Sequence, residues 1–241
     1  MTRTSTGTAC LFDLLDRWRH LPAYQLERRA DIFFGLFLPE VLNDHLLSRG
    51  IEIDQRLIPE FPLGQANTKR SDKADFFALS VDRKHAFLIE LKTDMRSLRN
   101  SQEDYLNRAV ARGLAAILCD LRGMAKATDR HARRKYFHLL EAVAGLGLLR
   151  LPPGLEDKIH GPSRGVYDLI ESIEVAPHLP VLEIIHVLPN ASGQMNCIDF
   201  PSFACVVARR GKLGARFAES LREWSIVAPG ERRKQATLEV E

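Results

Sequence analysis

The chain has 241 residues, 45% of them hydrophobic and 27% charged, with a formal net charge of +3. That balance suits a globular protein with a sizeable core, and it is too weakly basic for composition alone to demand a nucleic-acid partner. No apolar run approaches the roughly 18 residues of a membrane span, and Met1 to Cys10 lacks the apolar core of a signal peptide. A cytoplasmic protein without a membrane partner is therefore expected. The four cysteines, Cys10, Cys119, Cys197 and Cys205, form no C-x-x-C pair, which suits reduced thiols and argues against a structural zinc site.

In chain order, Leu11 to Trp18 and Asp31 to Leu47 show helical spacing. The second carries an apolar stripe of Phe33, Phe34, Phe37, Leu38, Val41, Leu42, Leu46 and Leu47, with Glu40 inside it and Gly50 as its stop. Ile51 to Leu63 reads as a first strand, irregular or at an edge because of Pro59 and Pro62, and Glu60 on it is a minor candidate acid.

The next stretch holds the chemistry. Ala74 to Val81 and Ala86 to Leu91 are apolar runs joined by Asp82-Arg83-Lys84-His85, the pattern of a hairpin whose strands are covered on both faces. Into these runs are set Asp75, Glu90 and, directly after, Lys92. Residues two apart on a strand share a face, so Glu90 and Lys92 point the same way, and pairing across the loop brings Asp75 to the same end. Burying two acids and an amine is costly unless other charge compensates them. Hard oxygen ligands from Asp75 and Glu90 suit magnesium or manganese, and two ions, if both bound, would lie roughly 3.5–4 Å apart. Lys92 would orient or deprotonate the attacking water, or sit on a phosphate as a point charge. Asp72 reads as a loop residue and Asp94 as a turn cap, both bystanders.

Ser101 to Met124 reads as a long helix packing Leu106, Val110, Leu114, Ile117, Leu118 and Leu121 on the sheet, with Gly113 a small cost or a close-packing point. Arg133 to Leu149 reads as another helix, and the stretch between Pro152 and Pro162 as a loop. Val181 to Leu188 is the clearest late strand, Ile198 to Ala208 fits strand or helix, and Lys212 to Trp224 reads as helix. His186, in the late strand, is expected to pack or hydrogen-bond. Two basic clusters, Arg122 to Lys135 and Arg209 to Arg216, suit either a phosphate backbone or solvated helix faces.

Across Lys73-Ala74-Asp75-Phe76-Phe77, Phe87-Leu88-Ile89-Glu90-Leu91-Lys92 and Gln102 to Leu106, the sequence resembles the PD-(D/E)XK nuclease superfamily; Ala74 stands where the signature has proline. The resemblance implies an α/β, restriction-endonuclease-like αβββαβ core with a mixed central sheet flanked by helices. It makes Asp75 and Glu90 the ligands of Mg2+ or Mn2+, Lys92 the catalytic amine, and Gln102 a polar helix residue that assists substrate or water placement. Glu40, an acid on the first core helix, is the candidate for a further place in the metal shell. The expectation is a single domain over 1–241, with its core in about 25–124 and 181–225 and a helical insertion in about 125–180. The expected activity is metal-dependent hydrolysis of nucleic-acid phosphodiesters, DNA favoured over RNA, with a homodimer compatible. The alternative is a catalytically inactive module of the same fold that binds nucleic acid or a protein.

Overall fold

The computed structural model describes residues 7–21, 25–64, 72–93, 100–126, 129–158, 163–190 and 196–226. Their elements, in chain order, are α1 (Gly7–Trp18), α2 (Leu26–Leu46), β1 (Ile58–Pro62), β2 (Lys73–Leu79), β3 (His85–Leu91), α3 (Asn100–Met124), α4 (Arg130–Gly145), β4 (Leu149–Arg150), α5 (Leu155–Lys158), α6 (Ser163–Glu171), β5 (Glu174–Val175), β6 (Val181–Leu188), β7 (Cys197–Asp199), α7 (Phe200–Val207) and α8 (Gly211–Trp224). The protein is of the α/β class, with a five-stranded sheet in the order β1-β2-β3-β6-β7 and a separate β4-β5 ladder. The sheet is mixed. β1, β2 and β3 run antiparallel, and β7 runs parallel to β6. The bonds Val181 N–H to Lys84 O and Lys92 N–H to Val187 O advance along both chains together, so β6 runs parallel to β3.

Contacts divide the chain into two compact units: Met1–His45, Leu91–Leu98 and His186–Glu241 form the first, and Leu46–Glu90 and Arg99–Ile185 the second. In the first, an aromatic core gathers on Phe217, whose ring meets Phe12, Phe34, Phe37, Phe203 and Trp224. Asp16 ties α1 to α8 by accepting from Arg216, Ser220 and the Trp224 indole. The strand-or-helix ambiguity of 198–208 resolves into both: β7 ends at Asp199, whose carboxylate accepts from Ser202 N–H and starts α7, with Pro201 in the first turn. At Gly214 of α8, an added Cβ would meet the carbonyl oxygen of Val207 at the end of α7. Backbone cannot swing aside as a side chain can, so Gly214→Ala should cost about 1–3 kcal/mol and lower the thermal melting point accordingly.

The second unit packs β1, β2 and β3 with α3, α4 and α6 around one apolar cluster that includes Phe61, Phe77, Leu88, Leu106, Ile117, Leu140, Val143 and Ile170. β1 lies at the sheet edge, which accommodates Pro59 and Pro62. It is shorter than expected. Over 51–57 only Ile53 bridges the sheet, to Ser80, because the Asp54 carboxylate closes a turn onto the Arg56 N–H and guanidinium. The 125–180 segment supplies Leu140, Val143, Leu155 and Ile170 to this core, so it is part of the unit's packing. Arg56 and Arg83 donate to the last carbonyls of α4, at Gly145 and Leu146, meeting acceptors that a helix end leaves open. That helix stops at Gly145, short of Leu149, which instead pairs with Val175. The expected 152–162 loop contains α5, anchored by the buried Leu155.

Candidate active site

β2 and β3 pair Phe76 with Ile89 and Phe77 with Leu88. One step further along the ladder sets Asp75 opposite Glu90. Alternation puts both acids on the face that carries Phe77 and Leu88, whose side chains belong to the apolar cluster with Leu106 of α3. The face is thus apolar along its length and acidic at its end. Glu90 is only 3% exposed. Tyr105, one residue before Leu106, closes over it and donates its hydroxyl to Glu90 Oε1 at 3.2 Å.

Burial pushes the Tyr105 phenol well above the usual tyrosine range, and the charges of Glu90, Asp75 and Asp72 push it further. Asp72 itself is exposed and precedes β2, as expected of a loop residue. An acid whose pKa is raised by folding keeps its proton after the unfolded chain has lost it. Its contribution to stability is intact below about pH 10 and declines as the pH rises past that value. In an alkaline titration followed by tyrosinate absorbance, one of the four tyrosines should stay un-ionised until the fold is lost. Tyr105→Phe should remove that late step.

Lys92 follows β3 and donates its N–H to Val187 O at 2.9 Å. It too is 3% exposed, and its ammonium pairs with Glu27 Oε1 at 3.7 Å. Glu27 lies in the first turn of α2. Helix α2 starts five residues before the expected Asp31, and this is why the sequence reading passed over Glu27: Leu26-Glu27-Arg28-Arg29 offers too little apolar periodicity to extend the stripe. Glu40, the acid expected on this helix, instead meets Arg210 Nε at 2.6 Å. At 1.5 Å per residue it stands about 20 Å along α2 from Glu27. On α2 it is Glu27 that stands by the expected catalytic lysine. Glu60 pairs with Lys73 on the surface. Gln102 falls in the first turn of α3, but its side chain, like Asp94, lies outside the described residues.

Much of the charge counted in the two basic clusters is spent internally. Arg122 donates to the Glu171 and Ile173 carbonyls, Lys126 pairs with Glu171, and Arg133 is fully buried. Arg210 is held by Glu40, and Arg216 by Asp13 and Asp16. His131, Arg134, Lys135, Arg209 and Lys212 are exposed.

Among the described residues, no three His, Cys, Asp or Glu side chains gather as a preassembled metal cage. Magnesium characteristically takes one or two carboxylates and keeps several waters. Asp75 and Glu90, hard oxygen donors that the register sets on one otherwise apolar sheet face, fit that kind of ion. No helix among the described residues is long and apolar enough to cross a membrane. No protein-family model matches this chain, and the searches of curated proteins and of solved structures returned no similar protein.

Proposed function

We propose that this protein is a divalent-metal-dependent nuclease of the PD-(D/E)XK type, with a restriction-endonuclease-like core. The observation that carries the reading is the β2–β3 register, which extended by one residue sets Asp75 opposite the buried Glu90 at the end of an apolar sheet face, in a chain where Lys92 follows two residues later. The order helix, three strands, helix and later strand supports it.

In this reading Asp75 and Glu90 hold Mg2+ or Mn2+. When bound, the ion supplies Lewis acidity toward a phosphate oxygen and lowers the pKa of a coordinated water. Tyr105 fixes one oxygen of Glu90, so the carboxylate presents the other in a defined direction. Lys92, an ammonium beside Glu27, orients the attacking water or balances charge on the phosphate. Glu27 holds the Lys92 ammonium in place. Gln102, by its resemblance, assists substrate or water placement. The substrate is nucleic acid, with DNA favoured.

A catalytically silent module of the same fold is the second reading; the commitment of Arg122, Lys126, Arg133 and Arg216 to partners within the fold favours its protein-binding form, because it thins the surface charge a nucleic acid would meet. Incubation of labelled DNA with magnesium, comparing the native chain with Glu90→Gln, separates the two. Cleavage that depends on both metal and Glu90 supports the enzyme, and its absence in the native chain supports the module.

A further inference from the structure

Asp104, Asn107, Arg108 and Ala111 of α3 line an open concavity of about 500 Å³. They recur at helical spacing and so form one face of α3. Arg108 lies three residues beyond Tyr105, close enough for their Cβ atoms to be about 5–6 Å apart. All four lining residues are exposed, on the side of α3 turned away from the buried Leu106 and Ala109.

Helix α3 carries three arginines, and they are used differently. Arg112 reaches Asp120 and the Leu63 carbonyl, and Arg122 reaches the Glu171 and Ile173 carbonyls. Arg108 donates only its Nε, to the Asp104 carbonyl at 3.0 Å. Its two terminal amino groups meet no acceptor among the described residues. Anchoring Nε on its own helix fixes the fork while leaving its ends open, which lowers the ordering cost of gripping a ligand.

The lining is not simply basic. Asp104 adds a carboxylate and Asn107 an amide to the arginine, so a bare anion finds little net field there. A nucleotide carries the matching groups: phosphate oxygens that accept from Arg108, and exocyclic amines that donate to Asp104 and to the Asn107 carbonyl. Its base edge must be open, as in a single strand, and Ala111 leaves the space uncrowded.

We propose that this α3 concavity holds one nucleotide of a bound single strand, with Arg108 gripping its backbone phosphate and Asp104 and Asn107 meeting its base. The proposal rests on the nuclease reading for the identity of the substrate, but it is tested by binding and not by cleavage. Fluorescence anisotropy of a short fluorescein-labelled single-stranded DNA of mixed sequence, in chelator, reads affinity for the native full chain, Arg108→Ala and Arg150→Ala. Arg150 is 85% exposed and serves as a control for the loss of one surface charge.

Arg108→Ala should weaken binding by about ten- to hundredfold and reduce the salt slope by about 1, while Arg150→Ala stays within about twofold of native. Inorganic phosphate should compete far less well than a dinucleotide. Equal losses in the two variants, an unchanged slope in Arg108→Ala, absence of binding by the native chain, or equal competition by phosphate each overturns the proposal. A chain that binds through Arg108 but never cleaves upholds it and removes the nuclease reading. A chain that cleaves and binds equally well as Arg108→Ala does the reverse.

Discussion

Glu90→Gln is expected to abolish magnesium- or manganese-dependent cleavage, by about a thousandfold or more, while the fold persists. The magnitude follows from the loss of a charged ligand, which forfeits several kcal/mol of charge stabilisation, and each 1.4 kcal/mol is about tenfold in rate. The fold should survive because glutamine matches the buried side chain in shape and still accepts from Tyr105 through its carbonyl. Removing a charge from a site only 3% exposed also relieves desolvation. Circular dichroism and a thermal melt, read beside the cleavage rate, check both halves. A Glu90 that served only as a structural acid would show the opposite pattern, with stability changed and rate retained.

The second large effect belongs to Lys92. Lys92→Met should likewise remove activity, by about a thousandfold, because methionine keeps the aliphatic bulk but neither carries charge nor donates a hydrogen bond to water or phosphate. Its effect on stability should stay below the roughly 3–5 kcal/mol expected when a fully buried ion pair is broken. The reason lies in the partner: the Glu27 side chain is 31% exposed and can be rehydrated once the ammonium has gone. A melt that collapses while residual activity per folded molecule stays native would make Lys92 a structural cation. Glu27→Gln offers a graded companion, with a loss of about ten- to hundredfold through a misplaced lysine.

The central hairpin was legible because its residues answer to a short-range rule. Strand alternation and the length of the Asp82–His85 connection bring Asp75 opposite Glu90, and the register Phe76 to Ile89 agrees. Val181–Leu188 was equally plain, since a mostly apolar run broken only by Glu183 and His186 suits a strand between two others. Residues whose roles depend on distant partners were not legible. Glu27 precedes the apolar stripe of α2, and only the fold brings Lys92 to it. Tyr105 supported the site in sequence only as part of the helix that opens after the hairpin, and its bond to Glu90 came with α3 laid on the acid end of β3. Gly113, with φ of 79°, breaks α3 where composition offered only a weak helix position. Arg133 counted as surface charge in the sequence and is wholly buried in the fold.

The account depends on Asp75 and Glu90 acting together on a doubly charged ion. Calorimetric titration of the full chain with manganese, repeated on Asp75→Ala and Glu90→Gln, tests this most directly. Saturable binding in the native chain that vanishes in both variants is the expected result. No heat of binding up to millimolar manganese, or binding that neither substitution disturbs, would contradict it.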